Sequence, residues 1–273
     1  MTKTPTPYQE FLSVAIAAAR GAGTLLQEHW ESQYAIREKT SYSDLQTDVD
    51  KASEKFIIEL LSARFHHHGI IAEESTPNTA QDFEYVWIVD PLDGTTNYTH
   101  RFPMVCVSIA LLYNGTPIVA VVYNPISEEL FYATKDGGAF LNERPIKTST
   151  VNDLRQSLLA TGFAYDRRDN PNNNYAQFFH LTHLSQGVRR MGSAALDLAF
   201  LAAGRLDGYW ERGLSSWDVA AGILLVTEAG GIVSSYNLEP VDIFSGEILA
   251  TNGAIHEDLS QALFTSNTKI IIT

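Results

Sequence analysis

Two aspartates stand three positions apart at the end of an apolar stretch, where their carboxylates could hold a cation. Residues 87–97 read WIVDPLDGTTN, so that apolar side chains run directly into Asp90 and Asp93. This pattern predicts a buried strand that ends in two carboxylates, which are ligands for hard cations. Gly94 and Thr95 follow at a predicted turn and helix start, where backbone N–H groups can face an anion. We therefore expect a metal and phosphate site here; the alternative is an Asx-type turn, which the preceding apolar strand makes less favourable.

Three further acidic residues lie at the ends of predicted elements: Asp50, Glu73 and Asp218. Carboxylates at strand ends and helix starts can converge on a cation, whereas those in element interiors usually face solvent. Alternatives stay open for two of them. Asp218 equally fits a helix N-cap, which stabilises a helix by about 0.5–2 kcal/mol. Glu73 equally fits an ordinary exposed acidic pair with Glu74.

The composition narrows the class of protein. The chain has 273 residues, enough for one large or two smaller globular units, and a formal net charge of −13 without a basic run. A nucleic-acid partner is therefore disfavoured, and binding of a phosphate ester would need a cation at the site. The single Cys106 leaves no intramolecular disulfide, which fits a reducing compartment. With no apolar signal core and no stretch that could span a bilayer, we expect a cytoplasmic protein without a membrane partner.

Periodicity divides the chain into two halves of different character. In the first half it predicts helices at about 7–29 and 48–65, strands at 69–72 and 87–89, and two hairpins, 105–113 with 117–123 and 130–134 with 139–141. In the second half it predicts strands at 157–161, 206–211, 232–234 and 248–250, and helices at 175–184, 193–203, 217–229 and 256–264. We expect residues 1–148 to form an α+β half with an antiparallel sheet and the main metal motifs. Residues 149–273 would form an α/β half that supplies Asp218 and a substrate wall.

In their order along the chain, the motifs resemble the inositol monophosphatase family of metal-dependent, lithium-sensitive phosphatases. The matching segments read AEES at 72–75, DPLDGTTN at 90–97 and WDVAAG at 217–222, together with residues 44–50 and GSAA at 192–195. The similarity runs from about Lys39 to Ala254, and the pairing of the Asp-Pro block with the Trp-Asp block is very specific. Ala72 and Leu92 depart from the more common Gly and Ile of the family. The resemblance implies a layered α-β-α-β-α sandwich, an α+β or α/β fold of the inositol monophosphatase and fructose-1,6-bisphosphatase type, and a homodimer.

The resemblance also implies a role for each matching residue. Mg²⁺ would be held by the side chains of Glu73, Asp90, Asp93 and Asp218 and by the carbonyl of Leu92. The catalytic residues would be Glu73, Thr95 and Asp50, which orient and deprotonate a metal-activated water. The substrate-binding positions would be Gly94, Thr95, Gly192, Ser193, Ala194, Glu211 and Asp218, with Glu211 accepting hydrogen bonds from ring hydroxyls. Lys39 matches a mobile loop near the phosphate, and it equally fits a solvated lysine.

The implied function is Mg²⁺-dependent hydrolysis of inositol 1-phosphate to inositol and phosphate. A fructose-1,6-bisphosphatase or a histidinol-phosphate phosphatase is the alternative within the superfamily, because both share the metal motif and differ in the substrate wall. The run YTHRFP at 98–103 favours the inositol branch by resemblance. A non-enzymatic regulator associated with transcription or RNA is the alternative of another class, against which the intact metal motif and the acidic balance argue. His66–His68 is expected to be a solvated turn, and Cys106 a core residue.

Overall fold

The computed structural model describes residues 7–32, 35–39, 44–75 and 83–265. The first elements are α1 (Gln9–His29), β1 (Ile36–Glu38), β2 (Leu45–Thr47) and α2 (Asp48–Arg64). A sheet region follows, with β3 (Gly69–Ala72), β4 (Tyr85–Asp93), α3 (Thr95–Thr99), β5 (Cys106–Tyr113), β6 (Thr116–Asn124), β7 (Glu129–Thr134), β8 (Gly138–Leu141) and β9 (Arg144–Pro145). The remaining elements are β10 (Leu158–Thr161), α4 (Tyr175–Leu184), β11 (Gly187–Arg189), α5 (Ala194–Ala202), β12 (Gly208–Arg212), α6 (Ser216–Glu228), β13 (Ile232–Ser234), β14 (Glu247–Thr251) and α7 (His256–Thr265).

Two large sheets organise the molecule. The first has seven strands in the order β3-β4-β5-β6-β7-β8-β9 and is antiparallel except for the β3–β4 pair. Its hairpins follow from local turn chemistry, since Asn114 and Gly115 adopt the positive φ angles that a two-residue hairpin requires. The second sheet has five strands in the order β11-β10-β12-β14-β13, with β10 parallel to both of its neighbours.

Helices cover both sheets and separate them. Alternate side chains of β4 and β5 face opposite sides of the first sheet: Trp87 and Val89 pack with α1 and α2, while Ile88 and Ala110 pack with α5 and α6. The same central core reaches the second sheet through Tyr209 of β12. The far face of that sheet packs against α4 and α7. The order of layers is therefore α-β-α-β-α, which confirms the expected sandwich.

Four short strands were missing from the sequence-based prediction. β1, β2 and β11 contain three residues each and β9 contains two, which is too short for alternation to show, and every residue of β1 is exposed. The central core draws side chains from both halves of the chain, and the division at residue 148 stays a prediction. Among the described helices, none combines the length and the apolar character needed to cross a bilayer.

Candidate metal and phosphate site

A bulge at the end of β4 places Asp90 and Asp93 on the same side of the sheet. Residues three positions apart in a regular strand point to opposite faces. Here Asp90 pairs with Ser108 and Asp93 pairs with Cys106. Between these two pairs β4 therefore contains one residue more than β5. Pro91 lies in this interval, and it has no N–H group to donate to the ladder. The strand therefore does not end at Val89, as the sequence predicted, but resumes pairing at Asp93 after the bulge.

Asp218 joins these two aspartates from the start of α6. Oxygens of Asp90, Asp93 and Asp218 all lie within 4.8 Å of one another. Asp218 is the third residue of the helix rather than its N-cap, and its carboxylate accepts a hydrogen bond from the backbone N–H of Ser215 at 2.6 Å. The two interpretations of Asp218 are therefore compatible, because the hydrogen bond that caps the helix also fixes the carboxylate beside the other two; its role as a metal ligand stays a prediction.

The three aspartates carry more negative charge than their surroundings can stabilise. Burial and mutual repulsion raise the pKa of Asp90 and Asp218 well above the ordinary range. Burial also raises the pKa of Asp93 to about 6, although hydrogen bonds from the Ser193 hydroxyl at 2.7 Å and the Ala195 N–H at 2.9 Å oppose that rise. A divalent cation would remove the repulsion, and an all-carboxylate donor set suits a hard cation such as Mg²⁺. The residues present therefore fit the metal that the sequence analysis expects.

Glu73 lies beside the three aspartates and carries its own counterion. Lys39 Nζ lies 2.9 Å from Glu73 Oε1 and 2.5 Å from Glu74 Oε1. Burial and the neighbouring Glu74 raise the pKa of Glu73 to about 7, against the opposing effect of Lys39. The Glu74 side chain is only 2% exposed, so the alternative of an ordinary exposed acidic pair is wrong. Lys39 is likewise ion-paired and not a solvated lysine.

Thr95 and Asp50 form the hydrogen-bonded pair that the resemblance implies. The Thr95 hydroxyl donates to Asp50 Oδ1 at 3.0 Å and also lies 3.1 Å from the Leu92 carbonyl. Asp50 is fully buried in the first turn of α2, where it takes part in a capping box with Thr47. Burial raises the pKa of Asp50 to about 6, against the hydrogen bonds from Thr47 and Thr95. The pair therefore joins a hydroxyl near the aspartates to a carboxylate that can accept a proton near neutral pH.

Gly94 makes the turn that follows the aspartates. Its φ of 92° is left-handed, and a Cβ atom there would lie 2.7 Å from the Met104 carbonyl oxygen. No other residue type fits this position without strain. The chain then enters α3 at Thr95. The phosphate-binding role of Gly94 and Thr95 stays a prediction.

The other predicted substrate residues line one cavity with the acidic residues. The cavity has a volume of about 280 Å³, and Glu73, Asp93 and Asp218 share it with Gly192, Ser193, Ala194 and Glu211. Ser193 connects the acidic residues to the start of α5. Its hydroxyl donates to Asp93 and also caps α5 by accepting a hydrogen bond from the Leu196 N–H at 3.3 Å. The structure thus gathers residues from both halves of the chain around one space.

Glu211 is held in place on the far wall of the cavity. The Tyr209 hydroxyl donates to Glu211 Oε2 at 2.5 Å, and burial raises the pKa of Glu211 to about 7. A Cβ atom at Gly162 would clash with the Glu211 carboxylate, so a larger residue there would displace that side chain. The Glu211 carboxylate therefore has a defined position in the cavity wall.

The sequence analysis missed four polar residues of this cavity: Tyr165, Arg190, Asp197 and Ser215. Asp197 had a detectable signal, because it is a lone acid inside the apolar helix AALDLAFLA. Of the residues set aside, Cys106 is fully buried as expected. His66 and His67 are exposed, whereas His68 stacks on Phe65 and Tyr85.

Comparisons with known proteins agree on one family over nearly the whole chain. The family model described as the inositol monophosphatase family matches residues 7–268. An inositol-1-monophosphatase from Synechocystis sp. is 52% identical over 259 residues, which cover 95% of this chain and 90% of the relative. The Nus factor SuhB of Escherichia coli (strain K12) is 42% identical over 261 residues, covering 92% of this chain and 98% of the relative. The solved structure of an inositol monophosphatase from Anabaena (Nostoc) sp. PCC 7120 is similar with a TM-score of 0.88 and 53% identity, covering 95% of this chain and 97% of the other.

Proposed function

The chain belongs to the inositol monophosphatase family, and from that premise we propose that it is a Mg²⁺-dependent phosphomonoesterase that hydrolyses inositol 1-phosphate to inositol and phosphate. One observation carries the proposal: Asp90, Asp93 and Asp218 converge within 4.8 Å, and Asp93 and Asp218 line a cavity that also contains Glu211. A relative that is 52% identical carries the name inositol-1-monophosphatase. A homodimer, a cytoplasmic location and sensitivity to lithium belong to the same proposal.

The carboxylates would hold the metal, and the positive charge of the metal would offset their repulsion of the substrate phosphate. Asp90, Asp93 and Asp218 would bind Mg²⁺, with Glu73 and the Leu92 carbonyl beside them. Without a cation, a phosphate dianion would meet several negative groups, and one like-charge contact near 4 Å costs about 4 kcal/mol at an effective dielectric of 20. When bound, Mg²⁺ polarises phosphoryl oxygens and lowers the pKa of a coordinated water.

Thr95 and Asp50 would remove the proton from the attacking water. Because the Thr95 hydroxyl already donates to Asp50 Oδ1, its lone pairs are available to accept a proton from water while its own proton passes to Asp50. Glu73, with a pKa raised by burial to about 7, is a second acceptor that would orient the water. General bases with pKa values near neutral are the effective ones at neutral pH.

Glu211 would recognise the alcohol part of the substrate. We expect Glu211→Ala to lower kcat/KM on inositol 1-phosphate by about tenfold to a hundredfold, since a hydrogen bond to a charged group contributes roughly 1.5–3 kcal/mol. Hydrolysis of p-nitrophenyl phosphate, which has no hydroxyls to present, should fall much less. The measurement is the ratio of the two efficiencies in variant and parent.

The matched control for that prediction is Glu239→Ala, which removes an exposed glutamate outside the cavity. It should leave the ratio as in the parent. An equal drop on both substrates in Glu211→Ala would show that Glu211 supports the acidic cluster or the fold, and the substrate-binding role would then be wrong.

A panel of phosphate esters tests the choice of substrate. Phosphate release with Mg²⁺ is measured on inositol 1-phosphate, fructose 1,6-bisphosphate, histidinol phosphate and nucleoside monophosphates. The proposal expects the highest kcat/KM on inositol 1-phosphate. A higher value on fructose 1,6-bisphosphate or histidinol phosphate would favour the corresponding alternative within the superfamily, because these enzymes differ in the wall and not in the acidic cluster.

A second candidate function comes from the relative named Nus factor SuhB, which is 42% identical. A relative with a name other than that of a phosphatase keeps open the alternative of a regulator associated with transcription or RNA. The net charge of −13 argues against direct contact with RNA. Turnover of any ester in the panel would exclude a purely non-enzymatic regulator.

A further inference from the structure

Asp197 is a buried acid in the cavity wall to which the reaction proposed above gives no role. It lies in the first turn of α5, a helix that is otherwise apolar, and it is 1% exposed. Its Oδ1 atom has no hydrogen-bond partner among the described residues. Burying such a group unpaired is unfavourable. Since Asp197 also borders the cavity, a ligand in the cavity is the available source of the missing donor.

The charged neighbours of Asp197 indicate what kind of donor fits. Glu211 and Asp93 repel its carboxylate, and Arg190 attracts it. All three neighbours line the same cavity. The Arg190 guanidinium already supplies a positive charge near Asp197. A ligand therefore does not need to bring a second cation to balance this carboxylate. Two acids that line one cavity, Asp197 and Glu211, are matched by neutral O–H donors of a ligand.

We propose that Asp197 is a specificity-determining residue that accepts a hydrogen bond from one hydroxyl of a polyol phosphate while Glu211 engages another hydroxyl. This inference rests on the proposed function, because it assumes that the cavity receives a phosphate ester. It adds a second carboxylate, from α5, to the carboxylate from β12 that recognises the alcohol part of the substrate.

The test compares inositol 1-phosphate with cyclohexyl phosphate, which has the same ring size and no hydroxyls. We expect Asp197→Ala to lower the ratio of kcat/KM on the two esters by about tenfold to a hundredfold, the loss typical of one hydrogen bond to a charged group. Asp197→Asn keeps an acceptor oxygen and the side-chain shape, so it should recover a large part of the ratio. The control Leu198→Ala removes an equally buried side chain of α5 that does not line the cavity, and it should leave the ratio as in the parent.

A second measurement places the contact and does not require the Asp197→Ala variant to fold. Inositol 1-phosphates that lack one hydroxyl are assayed with the parent and with Asp197→Leu, which keeps a side chain of similar size and removes both acceptor oxygens. Deleting the hydroxyl that Asp197 binds should lower kcat/KM less in the variant than in the parent, because the variant has already lost that contact and two changes to one contact are not additive.

The possible outcomes separate this inference from the proposed function. If the parent does not prefer inositol 1-phosphate to cyclohexyl phosphate, the proposed function fails before any variant is compared. If the parent shows that preference and Asp197→Ala lowers both efficiencies equally, or additivity holds at every hydroxyl, Asp197 has a structural role and the inference is overturned.

Discussion

Asp93→Asn is expected to lower phosphate release by about a thousandfold or more at saturating Mg²⁺. The substitution keeps the shape of the side chain and removes one charge from the aspartates that we propose as metal ligands. A bound metal supplies several kcal/mol of transition-state stabilisation, and each 1.36 kcal/mol is about tenfold in rate. Initial rates of phosphate release over a range of Mg²⁺ concentrations measure the effect. A variant with a rate near that of the parent would rule out Asp93 as a ligand.

The same substitution should leave the fold intact, and it should not lower the stability of metal-free protein at neutral pH. An asparagine oxygen can still accept the hydrogen bonds from Ser193 and Ala195. The pKa of Asp93 lies at about 6 in the folded chain against an ordinary 3.8, mainly because of burial. Between these values the folded state holds more protons than the unfolded state, so the contribution of Asp93 to stability falls as pH rises through that window. In EDTA, the melting temperature of the variant should therefore equal or exceed that of the parent at pH 7, and any gain should vanish at acidic pH.

Asp169→Asn is the matched control for both readouts, because Asp169 is exposed and lies outside the cavity. Rate and melting temperature should stay close to those of the parent. A large loss of melting temperature in Asp93→Asn would instead show that the charge of Asp93 stabilises the fold, and the loss of activity would then say nothing about a metal.

Thr95→Ala is expected to reduce kcat by about a hundredfold or more, within the range of 10²–10⁴ that a positioned general base contributes. The substitution removes the hydroxyl that donates to Asp50 Oδ1 at 3.0 Å and so breaks the proposed path of the proton. Thr95→Ser retains the hydroxyl and should keep most of the activity. The measurement is kcat on inositol 1-phosphate for both variants at saturating Mg²⁺.

The partner of Thr95 provides a second check on the same path. Asp50→Asn should also lower kcat, because an amide cannot take up the proton. If the two residues act as a unit, the double variant Thr95→Ala with Asp50→Asn should be hardly slower than the slower single variant. Fully additive losses, or a Thr95→Ala variant that keeps a third or more of the parent rate, would contradict the relay.

Much of the fold follows from local signals in the sequence, and the predicted elements are correct where those signals are strong. The hairpin at Asn114-Gly115 and the helix α4 lie where turn chemistry and periodicity predict them. The parallel pairings of β3 with β4 and of β11 with β10 depend on contacts between segments that are separated along the chain. No local pattern specifies such contacts, which explains why the sequence analysis missed them.

The residues of the candidate site were easier to predict than their geometry. The spacing of Asp90 and Asp93 would put them on opposite faces of a regular strand, and only pairing with β5 creates the bulge that brings them together. For Asp218, sequence offers helix capping and metal binding as alternatives, whereas in three dimensions the capping hydrogen bond sets the position of the clustered carboxylate. Asp197 was overlooked because it follows no apolar strand, although an acid inside an otherwise apolar helix is a signal in its own right.

The most direct test is to measure phosphate release from inositol 1-phosphate by protein that has been stripped of metal with EDTA and then supplied with Mg²⁺. We predict no release from the stripped protein, because the uncompensated carboxylates of Asp90, Asp93 and Asp218 repel the phosphate. Added Mg²⁺ should restore release in a saturable manner, and lithium should then inhibit it. Undiminished release in excess EDTA, or the absence of release at any Mg²⁺ concentration, would contradict the assignment of this chain as a Mg²⁺-dependent inositol phosphate phosphatase.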